Sequence, residues 1–79
     1  ALNLFNSRFV MQQADLLAKR LAKEAGADAA VQAKRAFTLC FNRPPTEAEI
    51  NSSAEFIQNE GLSQFTRAML NANEFVFIP

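Results

Sequence analysis

Arg43-Pro44-Pro45-Thr46-Glu47-Ala48-Glu49-Ile50 is the stretch on which the reading of this chain turns. Pro44 forces Arg43 away from helical dihedrals, so the preceding helix must stop by Asn42, a residue that tolerates left-handed geometry. Thr46 then stands as an N-cap, Glu49 three residues on completes a capping box, and Pro45 and Ile50 take the two staple positions. One helix ends and another begins within a single short turn.

Working back from that junction, Asp28 caps a helix running to about Phe41. Its apolar face is Ala30, Ala33, Phe37, Cys40 and Phe41, and its solvated side carries Lys34 and Arg35. Before it, Val10, Ala14, Leu17 and Leu21 recur at helical spacing, flanked by Phe9, Leu16 and Ala18, so a first helix spans Asn6 to Ala25. Asn6 can cap it, Phe5 and Val10 suit a staple, and Gly26 supplies the left-handed terminating residue. Lys19, Arg20 and Lys23 crowd the end of the helix dipole that favours cations.

Forward from the junction, a third helix covers Glu47 to about Asn59, with Ile50, Ala54 and Ile57 inward and Phe56 beside them, and Gly61 closes it. A shorter fourth helix, Leu62 to about Asn71, places Leu62, Phe65, Ala68 and Met69 on one face. The tail from Glu74 to Pro79 differs, because Phe75, Val76, Phe77 and Ile78 are β-prone and follow two Asn. They read as an extended segment lying over the bundle. The expected fold is all-α: a compact bundle of four short helices with an extended C-terminal tail, residues 1–79 forming a single helical domain.

Composition agrees with that fold and removes most chemistry. The 79 residues are 49% hydrophobic, with only two Gly and three Pro, which suits a packed chain rather than a disordered one. At this length one core supplies only about 3–5 kcal/mol without staples, and a single Cys excludes an intramolecular disulfide. There is no His, so the commonest general base and the commonest metal ligand are both missing. Cys40 alone cannot build a zinc site, a CxxC pair or a haem attachment, and near a helix C-terminus it reads as a small buried hydrophobe. Glu47 and Glu49 point apart on their helix, and Glu49 has its capping role. No triad, phosphate-cradling loop or metal-ligand spacing is present. The expectation is no catalysis and no cofactor in this segment.

Charge is uneven beneath a formal net charge of zero. Residues 1–43 carry seven bases and three acids, whereas residues 44–79 carry Arg67 against Glu47, Glu49, Glu55, Glu60 and Glu74. Complementary halves suit neighbouring helices of one bundle, or a dipolar surface that orients the domain against a partner. The two middle helices superficially form a helix-turn-helix, but Glu47 and Glu49 at the start of the second would repel phosphate, so nucleic acid is not expected as a partner. No apolar run reaches the roughly 18–20 residues that span a bilayer, and the stripe of the first helix is needed for the core. Membrane insertion is not expected.

The polar residues left to explain are Asn6, Arg43, Asn71, Asn73 and Glu74. Asn71 and Asn73 fall where a helix gives way to the tail, where their side chains can satisfy orphan backbone groups. Arg43 can reach a carboxylate such as Glu74 or a helix C-terminus. Together they form a candidate polar clip fastening tail to bundle, or else a small recognition site.

Three blocks carry a resemblance: Phe5-Asn6-Ser7-x-Phe9-Val10; Arg35-Ala36-Phe37-x-Leu39 running into Arg43-Pro44-Pro45-Thr46-x-x-Glu49; and Leu70-Asn71-Ala72-Asn73-Glu74-Phe75-Val76-Phe77. In order and spacing, over about residues 2–78, they resemble the C-terminal end of the planctomycete surface domain family. That family is a domain of unknown function in large bacterial proteins, commonly with an exported leader and a cytochrome c-like domain upstream. Asn42 departs from the pattern where Gly is usual, and Phe77 where Tyr is common. The resemblance implies a terminal piece of an exported multidomain protein, periplasmic or at the cell surface, with any haem or catalytic site upstream. It brings no catalytic residues.

Two functions follow as expectations. In one, the chain is a non-catalytic helical module that docks on upstream domains of the same polypeptide or on another protein. In the other, it contributes Arg43, Asn73 or Glu74 to a site that upstream domains complete. Independent sugar or peptide binding lacks the Trp and Tyr such sites favour, since neither residue occurs.

Overall fold

The computed structural model describes residues 8–71. Over these residues the chain forms α1 (Arg8–Ala25), α2 (Ala29–Phe41), α3 (Glu47–Glu60) and α4 (Leu62–Leu70), with no strand among them. The proposed Asn6 cap and the tail from Glu74 lie outside the described residues.

Local chemistry sets each boundary. Gly26 ends α1 at φ 73°, its N–H donating to the Ala22 carbonyl at 3.2 Å. Asp28 caps α2, its Oδ1 accepting from the N–H groups of Ala30 (2.9 Å) and Val31 (3.3 Å). Asn42 terminates α2 in the left-handed region, φ 54° and ψ 36°, with its N–H on the Thr38 carbonyl. Asn is one of the few side-chain-bearing residues that enter that region readily, because its short amide can satisfy local backbone groups. The fourth helix ends at Leu70, one residue earlier than expected, and Asn71 is its C-cap.

Around the bundle α1 packs on α2 and α4, α2 on α3, and α3 on α4, so the four helices close a ring with one core inside. That core is Leu21, Ala33, Ala36, Phe37, Ile57, Phe65 and Met69, with Leu17, Leu39, Cys40, Phe41 and Leu62 packed against it. Ala14 and Ala18 of α1 are buried as well, and such small side chains let helices approach closely. Phe37 and Phe41 meet edge to face at 5.3 Å, the arrangement the ring quadrupole favours.

Two inward assignments change. On α4, Ala68 is exposed and Thr66 takes the buried place, because the helix meets α1 through its Thr66 side. On α3 the small polar Ser53 is buried, while Phe56 stays 37% exposed and touches Phe65 at 6.2 Å. Two of the buried polar side chains, Thr66 and Gln32, are hydrogen-bonded, as burial favours. The Thr66 hydroxyl lies 2.8 Å from the Ala14 carbonyl and 2.9 Å from the Ser63 carbonyl, so its one proton ties α4 to α1 or to its own preceding turn. Gln32 is buried too, and its amide donates to the Gly26 carbonyl at 2.6 Å, closing the α1 C-terminus from α2.

Candidate functional site

Of the five polar residues singled out from the sequence, Arg43 and Asn71 are described, while Asn6, Asn73 and Glu74 lie outside the described residues. Arg43 stands in the short non-helical connection between α2 and α3, just before the proline pair. Its Nη1 donates to Glu49 Oε1 at 2.9 Å and its Nη2 to Glu49 Oε2 at 2.8 Å, a two-bond fork that Lys could not reproduce. Nη1 also donates to the Pro44 carbonyl at 3.2 Å. The guanidinium lies over Phe37 (5.3 Å to the ring centroid) and Phe41 (5.8 Å), within cation–π range of both.

Glu49 serves two structures at once. Its Oε1 accepts the Thr46 N–H at 2.8 Å while the Thr46 hydroxyl accepts the Glu49 N–H at 3.2 Å, completing the capping box. The Arg43 hydrogen bonds first, then the Thr46 N–H, bring the Glu49 carboxyl down from its ordinary 4.5 to about 2. It is therefore ionised at neutral pH and occupied as an acceptor. A carboxylate held this way is a poor general base, since a base must be able to take up a proton near the working pH. Burial meanwhile pushes the Cys40 thiol up from 9.0, away from a reactive thiolate. Among the described residues, no group of three Cys, Asp or Glu side chains could hold a metal ion, and no helix is long and apolar enough to cross a membrane.

Charge pairing follows tertiary contacts more than chain halves. Glu24 accepts from Arg20 on its own helix (2.7 Å) and from Arg35 of α2 (2.9 Å), so this link joins two helices of the basic half. Both hydrogen bonds lower the Glu24 pKa. Arg67 approaches Asp15 at 4.0 Å, joining halves with a base from the acidic half and an acid from the basic one. These pairs are partly solvated, and such links are individually weak.

Asn71 does something the sequence did not suggest. Its N–H completes α4 on the Arg67 (3.1 Å) and Ala68 (3.2 Å) carbonyls, but its buried Oδ1 has no hydrogen-bond partner among the described residues. The same holds for Arg67 Nε. Both residues line a groove with Val10, Met11, Phe56 and Ala68. The signal was faint: Arg67 and Asn71 are four apart, which places them on one helix face, but their lack of partners depends on what the other helices bring.

The four packed helices define a small all-α bundle. The family described as PSD1, protein of unknown function (DUF1553), matches residues 1–57, and the chain belongs to it. The match takes in α1, α2 and most of α3, including Arg43 and the capping box, and stops short of α4 and the third block of the resemblance. No curated protein and no solved structure matches the chain.

Proposed function

We propose that this chain is a non-catalytic helical module, the terminal part of a large exported multidomain protein of planctomycete type, which docks on upstream domains of the same polypeptide or on a partner protein. The observation that carries the reading is on α1. Phe9 is 52% exposed and Leu16 58% exposed, seven residues apart and so on one side of the helix, while the core side is already filled by Ala14, Ala18 and Leu21. Two large apolar side chains turned outward in register offer a contact that another apolar surface would cover.

Arg43 supports the same reading over the alternative of a site shared with upstream domains. Its fork is engaged by Glu49 and its face by two rings, so its visible role is to fasten the turn between α2 and α3. In this proposal the module uses no cofactor, contacts no nucleic acid, and works in the periplasm or at the cell surface, the setting of the family it resembles. Any haem or reactive group belongs to other domains.

The test is photo-crosslinking from position 16 in the complete polypeptide. The expected product is an internal crosslink to an upstream domain or a crosslink to one partner. The Phe9→Ser/Leu16→Ser double variant should lose it and keep its melting temperature, since exposed positions change stability by only about 0.5 kcal/mol. A module that crosslinks to nothing, or whose double variant unfolds, does not dock through this face.

A further inference from the structure

The outer face of α1 carries charge as well as its two apolar side chains. Phe9, Leu16 and Lys23 recur at seven-residue steps, with Gln12, Gln13, Lys19 and Arg20 between them, and all are exposed. That spacing keeps side chains along one line of a helix, and it is the spacing at which a second helix packs alongside. The line changes along its length, from uncharged and apolar in its first turns to basic in its last.

The two acids of α1 leave that basic end unneutralised. Glu24 is shared by Arg20 at 2.7 Å and Arg35 of α2 at 2.9 Å, so two cations divide one carboxylate. Asp15 turns instead to Arg67 of α4, at 4.0 Å. Among the described residues no acid pairs with Lys19 or Lys23. A surface that joins Phe9 and Leu16 to an excess of positive charge selects a partner with apolar side chains followed by carboxylates. It disfavours a second copy laid face to face, which would bring the same bases. With Gln12 and Gln13 between its two large apolar side chains, the stripe is also too narrow to lie in a lipid surface.

Resting on the reading that the module docks through this face, we infer that α1 receives an acidic amphipathic helix from another domain of the same polypeptide. The size of the face decides the source. These seven residues fall well short of the roughly 20–30 a side with which separate proteins hold one another. A tethered domain meets the face at a high effective concentration and needs fewer contacts. Its apolar side chains cover Phe9 and Leu16, and its Asp or Glu side chains stand opposite Lys19 and Lys23.

Crosslinking from position 16 in the complete polypeptide, with the joined peptide identified by mass spectrometry, tests this. The expected product is internal and ends in a segment rich in Asp and Glu. Lys19→Glu/Lys23→Glu should cut its yield by about tenfold, the low end of what steering by charge supplies. Lys19→Arg/Lys23→Arg should leave the yield unchanged. Salt at about 1 M, which screens charges beyond roughly 3 Å, should act on the unmodified polypeptide as the charge reversal does. An internal product that charge reversal or salt leaves undiminished overturns the acidic partner and leaves docking itself intact. A product with a separate protein, a second copy or lipid overturns the assignment of the occupant. The lack of any product from position 16 removes docking through this face, and this inference with it.

Discussion

Arg43 and Glu49, six residues apart across the turn between α2 and α3, are joined by two parallel hydrogen bonds of 2.9 and 2.8 Å. The same carboxylate closes the capping box of α3, so one side chain fixes both the turn and the helix start. Every element of this junction lies within the stretch Phe37 to Glu49, apart from the packing that holds the two rings in place.

The junction makes stability depend on pH. Glu49 has a folded-state pKa of about 2, lowered from 4.5. A group lowered on folding contributes stability that is present above its unfolded pKa and lost as pH falls through its folded one. Glu24 is shifted in the same direction. The melting temperature should hold from neutrality to about pH 5 and fall between about pH 5 and 2. Glu49→Gln should start lower and fall less over that range. Parallel profiles for the two proteins would show that the pair contributes nothing.

Thr46→Ala should cost about 0.5–2 kcal/mol, because it removes the acceptor for the Glu49 N–H. Urea unfolding measures it. Thr46→Ser, which keeps the oxygen, should recover most of the loss.

Phe37 is 6% exposed and touches both the core and Arg43. Phe37→Ala should cost about 3–5 kcal/mol, most of the stability available to a domain this small. A nearly unchanged unfolding curve would mean that α2 is not held by the core.

Thr66 is fully buried and bridges α4 to α1 through its hydroxyl. Thr66→Val keeps the shape and loses the hydrogen bond, at an expected cost of about 0.5–1.5 kcal/mol. A stabilised Val variant would show that the hydroxyl is tolerated there rather than used.

The sequence by itself determined the four helices and nearly all their ends, because caps, prolines and left-handed residues act within a few positions. Asp28, Asn42, Thr46 with Glu49, and Gly61 each satisfy or stop a helix through groups at most four residues away. Local chemistry of this kind needs no knowledge of neighbours. Tertiary structure decided which side chains are inside where size and polarity mislead. Thr66 is buried because α4 faces α1 with that side, and Ala68, more apolar, is left to solvent. Phe9 and Leu16 are outside because α1 turns Ala14, Ala18 and Leu21 to the core. Arg67 Nε and Asn71 Oδ1, buried and without hydrogen-bond partners among the described residues, belong to the same class, since whether a polar atom has a partner is a property of three helices meeting rather than of one.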